Sequence, residues 1–379
     1  MKKLLTLLIS VSMVATLLVG CGGAKTEEAP AAETTEEGLK IAIVSSPSGV
    51  DDGSFNQNNY EGILSFIEAN PGATVTPVKE ETGDVAAALQ AVADIVADYD
   101  VIVCCGFQFQ GIGTLAQENP DVDFILVDVF PTDAEGNEIE AENIYAMQFK
   151  EQEGGFFAGI AAALETKTGK VAVVNGIAYP SNVNYQYGFE CGVNYANKNY
   201  GTTAECVELA SYAGTDVTGA NVGGNYVGNF NDEATGKVVA EALIGEGVDM
   251  IFVAAGASGN GVLTACKEAE GVYYLGCDVD QYDDGANGDA NVIMTSALKV
   301  MDMNVELQLT NILNGTFAGA NALLGADTYS TGFVSEEGRH QMQADTVTKV
   351  TEAFEKVVSG EIVPAANFNG MTPDAFTGL

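Results

Sequence analysis

Asp51-Asp52-Gly53-Ser54-Phe55-Asn56-Gln57-Asn58-Asn59-Tyr60-Glu61-Gly62 is the stretch on which the fold turns. Upstream of it, Leu39-Lys40-Ile41-Ala42-Ile43-Val44 reads as a strand, and Ser45 to Val50 as a short Ser/Pro/Gly turn. Downstream, Ser54 or Asp52 can cap a helix in which Tyr60, Ile63, Leu64 and Ile67 recur at helical spacing. A strand that enters a polar turn and then a helix N-terminus is where open α/β sheets hold ligands. Carboxylates, a hydroxyl, amides and an aromatic ring lie within about three helical turns. That set suits a polyhydroxylated ligand carrying a flat ring. A capped helix with a solvated acidic turn accounts for the same residues equally well.

The pattern repeats along the chain. Strands are expected at 40–46, 73–78, 100–105, 123–129 and 143–148, with helices between them, most clearly at 83–97. A helix dense in Gly, Ala and Phe follows at 152–165. A second series then runs through strand 170–175, helix 182–197, strands near 206–210 and 225–229, helix 233–246, strand 249–254, helix 259–269 and strand 273–277. A strand at 292–296, a helix at about 299–314, a strand-like segment at 329–333 and a helix at 345–358 complete it. Strands alternating with helices at this spacing imply parallel sheets covered on both faces, hence an α/β fold. Two units of similar size emerge, with a tail shared between them, and a cleft between two such units is a common small-molecule site.

The N-terminus sets the compartment. Lys2-Lys3, an apolar run from Leu4 to Val19 and Leu18-Val19-Gly20-Cys21 read as a signal peptide over 1–20. The last four residues resemble the lipobox of bacterial lipoproteins, which implies cleavage before Cys21 and a lipid on its sulfur. Residues 21–38 are rich in Gly, Ala, Thr and Glu without an apolar period, and are expected to form a disordered tether of about 20–25 Å r.m.s. reach. The formal net charge of −38, with Arg339 the sole arginine, disfavours nucleic acid and anionic lipid as partners. It also argues against a strongly anionic ligand.

Catalytic and metal chemistry find little support. His340 is the sole histidine, no Gly-x-Ser-x-Gly elbow occurs with an acid and a histidine after it, and no Cys/His cluster has metal spacing. Lys167-Thr168-Gly169-Lys170-Val171 lacks the upstream glycine and following hydroxyl of a P-loop. No enzyme activity, cofactor or metal is therefore expected. Cys104, Cys105, Cys266 and Cys277 sit in apolar runs as small core residues, while a Cys191–Cys206 pairing is left open. Read by themselves, Phe230 is a core residue and Lys299 a surface one; Cys277-Asp278-Val279-Asp280 ends a strand with two acids.

Taken together, Asp51 to Asn56, Gly106-Phe107, Leu126-Val127-Asp128, Lys167 to Val171, Gly228-Asn229-Phe230-Asn231-Asp232, Ala255-Gly256 and Asp278-Val279-Asp280-Gln281 resemble the BMP family. These are basic membrane protein lipoproteins, the PnrA-like substrate-binding components of nucleoside ABC transporters. The resemblance runs in order from about 40 to 310. It implies a type I periplasmic-binding-protein fold, two Rossmann-like lobes joined by a hinge. Lobe 1 would comprise 39–148 plus about 280–315, and lobe 2 149–279 plus about 316–379. It further implies a purine base between Tyr60 and Phe230, ribose hydroxyls on Asp280 with Lys299 nearby, and close backbone approach at Gly256. Asp51 and Asn56 would add bonds from the first lobe, Asp128 a base edge and Phe107 a wall. The implied protein is a monomer, lipid-anchored on the outer face of the cell membrane, that delivers a nucleoside to a permease. A sugar or autoinducer-type receptor of the same fold, or a surface sensor or adhesin, is the alternative.

Overall fold

The computed structural model describes residues 38–376 and 378. The signal peptide, Cys21 and all of the tether except Gly38 lie outside the described residues. Gly38 packs directly on Gly72 and Ala73.

Two six-stranded sheets carry the fold. The first runs in the order Ala320–Leu324, Ile144–Phe149, Asp123–Val127, Val101–Cys105, Lys40–Ser45, Thr74–Lys79, with every neighbouring pair parallel. The second runs Thr331–Phe333, Ile293–Lys299, Tyr273–Asp278, Met250–Ala254, Lys170–Asn175, Glu205–Cys206. It is parallel except for its first pair. The two orders match strand for strand, so each lobe is a doubly wound unit with its ligand-bearing turns at the carboxyl ends of the strands. The interior strands are apolar on both faces, as buried parallel sheets require: Val101–Cys105 and Met250–Ala254 are buried at every position.

Helices cover both faces. Phe55–Ala69 and Met301–Leu313 pack over one face of the first sheet, with Phe66, Met301, Val305 and Leu309 fully buried there. In the second lobe, Glu151–Glu165 and Pro180–Tyr200 lie backbone against backbone. A Cβ added at Gly159 would stand 2.1 Å from the Phe189 carbonyl, and one at Gly192 would stand 2.2 Å from that of Phe156. That contact explains the Gly/Ala-rich composition of the helix.

Several boundaries differ from expectation. The chain passes between the sheets after Phe149, after Lys299 and after Leu324. Residues from about 280 to 299 thus belong to the second lobe and not the first, because Ile293–Lys299 pairs with Tyr273–Asp278 as an interior strand. Conversely 316–324 belongs to the first lobe, since Ala320–Leu324 adds an edge strand beside Ile144–Phe149. The strand expected at 225–229 reduces to a single bridge, Asn175 to Tyr226. Gly223, Gly224 and Gly228 all have positive φ (67°, 67° and 83°), which breaks an extended run. Cys191 and Cys206 are free thiols, as are Cys104, Cys105, Cys266 and Cys277.

Candidate functional site

The cleft between the lobes encloses a cavity of about 250 Å³. That is just below the roughly 300–1,000 Å³ of common ligand pockets, so it suits one compact molecule. From the first lobe, turn residues 46–48, Asp52, Phe55, Asn56, Phe107 and Asp128 reach it. From the second come Tyr179, Tyr185, Phe230, Gly256, Asp278 and Lys299.

The turn after the first strand is built by Asp52. Its carboxylate accepts from the backbone N–H groups of Ser54, Asn56 and Gln57 and from the Asn56 amide, at 2.7–3.1 Å. Asp52 therefore caps the helix Phe55–Ala69 from the turn ahead of it, and the Ser54 side chain is released from capping. Ser54 Oγ donates instead across the cleft to Asp278 Oδ2, at 2.9 Å. Burial pushes the Asp52 carboxyl pKa up, against those donated bonds.

A second group stands at the hinge. Lys299 Nζ lies 2.5 Å from Asp128 Oδ1 and 3.3 Å from Glu151 Oε1, with Lys299 2% exposed. The ammonium also lies 5.0 Å from the Phe55 ring centroid and 5.2 Å from that of Phe149. Burial alone would favour neutral lysine; the facing carboxylates of Asp128, Glu151 and Asp278 more than reverse that and keep it protonated. Burial lifts Glu151 to about 7, although Lys299 and the Asn184 amide oppose the shift. Burial likewise raises Asp128. The cation at the floor is thus already matched by acids, which leaves no free positive charge for an anionic ligand.

Aromatic rings line the upper wall. Phe107 and Tyr179 have centroids 5.1 Å apart, and Tyr179 and Phe230 6.0 Å apart. The Phe230 ring lies over Gly176, where a Cβ would meet it at 2.2 Å. Gly256 (φ 54°) turns the backbone beside Phe230, and Ser258 N donates to the Phe230 carbonyl at 3.1 Å. Asp278 accepts from Tyr185 Oη (2.9 Å) as well as from Ser54.

Six of the expected site residues therefore meet at the cavity: Asn56, Phe107, Asp128, Phe230, Gly256 and Lys299. Lys299 and Phe230 are not the surface and core residues that they resemble in isolation. Three others lie elsewhere. Asp51 is exposed, one residue before the buried carboxylate. Tyr60 is five residues beyond Phe55, turned about 140° around the helix, and packs on the first lobe's core. Asp280 has left the strand and pairs with Arg339 Nε at 2.7 Å. The residues in their stead are Asp52, Phe55 and Asp278. The sequence does not single out Tyr179 or Tyr185, although Tyr179-Pro180 at a strand-to-helix turn carries the same signal as the first turn.

Among the described residues no cluster of His, Cys, Asp or Glu is arranged to hold a metal, and no helix is long and apolar enough to cross a membrane.

The comparisons with known proteins agree with this geometry. A family model described as "ABC transporter substrate-binding protein PnrA-like" matches residues 39–211 and 210–367. A "CD4+ T-cell-stimulating antigen" of Listeria monocytogenes is 28% identical over 378 residues, covering 95% of this chain and 98% of that one. An "ABC transporter nucleoside-binding protein BmpA" of Lactococcus lactis is 27% identical, covering 74% of this chain and 77% of its own length. A crystal structure of an ABC transporter solute-binding protein from Aeropyrum pernix superposes with a TM-score of 0.72 over 89% of this chain and 95% of that one, at 24% identity. That likeness supports the type I periplasmic-binding fold, two Rossmann-like lobes about a cleft. The role is solute binding for an ABC transporter at the outer side of a membrane, not catalysis. This chain belongs to the Bmp family, the PnrA-like substrate-binding proteins of ABC transporters.

Proposed function

We propose that this protein captures a nucleoside, with purine nucleosides preferred, between its two lobes and presents it to the permease of an ABC transporter. The observation that carries the reading is the cavity's composition. Aromatic rings form its walls, carboxylates end its strands, and its one cation is matched by Asp128 and Glu151. A flat base gains apolar contact from the rings, and ribose hydroxyls donate to Asp278 and Asp128. A phosphate would meet acids with no unmatched cation, so nucleotides are rejected. The relative named as nucleoside-binding supports the same substrate class.

The chain acts as a monomer, since both walls of the cavity come from one copy. A lipid on Cys21 holds it at the outer face of the cell membrane, within reach of its permease. Calorimetric titration of the folded part with guanosine, inosine, adenosine, uridine and ribose tests the ligand, after unfolding and refolding to strip any co-purified molecule. Tight binding of purine nucleosides and none of ribose is the expected result. Binding of free sugars in preference to nucleosides would replace this reading with a sugar receptor.

A further inference from the structure

Tyr179 stands where the two lobes meet, and none of the expected site residues accounts for it. Its ring is half-buried and lines the cavity. On one side it packs against Phe107, which follows the strand Val101–Cys105 of the first lobe. On the other it packs against Phe230 of the second. Among the described residues, Phe107–Tyr179 is the one ring-to-ring contact that joins the lobes.

The backbone under Tyr179 is fixed without reference to a ligand. Its N–H donates to the Ile177 carbonyl at 2.8 Å, its carbonyl accepts from Val183 N at 3.0 Å, and Pro180 opens the helix that follows. The backbone that carries the ring is thus fixed within the second lobe, and the first lobe must come to it. Other cross-lobe bonds lie at the same edge: Ser48 Oγ donates to the Phe230 carbonyl at 3.1 Å, and Asn231 Nδ2 to the Pro47 carbonyl at 3.4 Å. Phe230 is therefore held by both lobes, from the first through Ser48 and from the second through Tyr179.

We propose that Tyr179 is a closure latch: its ring ties Phe107 to Phe230, so the aromatic wall is continuous only when the lobes are together. The proposal rests on the reading of the cleft as a closing ligand trap. In the open state Phe107 leaves the row, Phe230 loses its support from the far side, and a ligand against that wall is released. Tyr179 acts then on ligand escape far more than on ligand capture. Aromatic pairs contribute about 0.5–1.5 kcal/mol each beyond their area, and Phe107–Tyr179 is the pair that opening breaks, so its loss corresponds to roughly 2- to 12-fold in escape rate.

Stopped-flow kinetics on the full chain with guanosine, together with small-angle X-ray scattering of the ligand-free chain, test this. Tyr179→Leu is expected to raise the dissociation rate about 2- to 12-fold, to change association by less than that factor, and to give a more open free state. Tyr179→Phe keeps the ring row and is expected to raise dissociation less than Tyr179→Leu does. Phe107→Leu breaks the same contact from the other lobe, which keeps the test alive if Tyr179→Leu folds poorly. The two leucine changes combined should be no worse than the more severe one alone. Dissociation unchanged in both single variants, or Tyr179→Phe as impaired as Tyr179→Leu, overturns the latch. If the unmodified chain does not bind guanosine, the nucleoside reading fails on its own. Scattering then still decides: free-state profiles of both leucine variants identical to the unmodified chain overturn the latch.

Discussion

Asp128 and Asp278 occupy the same place in the two lobes. Each stands at the carboxyl end of the third strand of its sheet, and each has a left-handed backbone, with φ of 70° and 68°. Only three non-glycine residues among those described have positive φ, and two of them face each other across this cavity. Asp is among the few side chains that tolerate this conformation. The bend turns both carboxylates from the strand ends into the cleft.

Asp278→Asn keeps a side chain suited to that backbone but halves the acceptors, so Ser54 or Tyr185 loses a partner. One unmade buried bond costs about 1–3 kcal/mol, so affinity for the ligand should fall about 5- to 150-fold by calorimetry. Asp280→Ala removes a half-exposed ion pair with Arg339, and such pairs contribute about 0–1 kcal/mol. Its affinity should stay within about fivefold of the unmodified chain. The reverse ranking would return the hydroxyl-binding role to Asp280.

Gly176 is set by the Phe230 ring lying on it. In Gly176→Ala the new methyl must displace that ring, because it would stand 2.2 Å from it. The expected outcome is a loss of ligand affinity of about tenfold with a melting temperature close to unchanged, since the ring borders a cavity and can move into it. Unaltered affinity would show that Phe230 does not touch the ligand.

Lys299 is held between Asp128 and Glu151, so Lys299→Met strands two buried acids. Removal of one partner from a buried pair costs about 3–5 kcal/mol, measurable by urea unfolding. The deficit should shrink as pH falls from about 8 to about 5, because protonation relieves the unpaired carboxylates. A deficit independent of pH would mean lost packing and not stranded charge.

Glu190 is partly buried in the second lobe, and that burial lifts it from 4.5 to about 7; Glu208 and Asp374 add to the shift, and the Gln186 amide opposes it. The unfolded chain releases this proton near the ordinary carboxyl value, and the folded chain holds it to about 7. Folding stability therefore declines as pH rises through that window and is level above it. Glu190→Gln removes its part of the decline and leaves the part due to Glu151, which shifts the same way. Unfolding free energies at several pH values check this; a slope identical in the variant would place the proton elsewhere.

The alternation of apolar strands and helices was legible in the sequence because burial on both faces leaves a local record. Val101–Cys105 and Met250–Ala254 show it residue by residue. So was the place of the cavity, since strand-to-helix turns gather at one edge of each sheet whatever their detail. Which side chain of each turn faces inward was decided only by tertiary structure. Asp51 and Asp52 are adjacent acids in an irregular turn with no period, and the bonds to Ser54, Asn56 and Gln57 select the second. Asp278 and Asp280 share one strand end, yet the left-handed bend at 278 and the reach of Arg339 across 59 residues divide them. Lys299 gave no sign of burial, because its partners Asp128 and Glu151 come from remote segments. The lobe boundary near 300 was likewise hidden, since a strand's sheet membership depends on its hydrogen-bonded neighbour and not on its own residues.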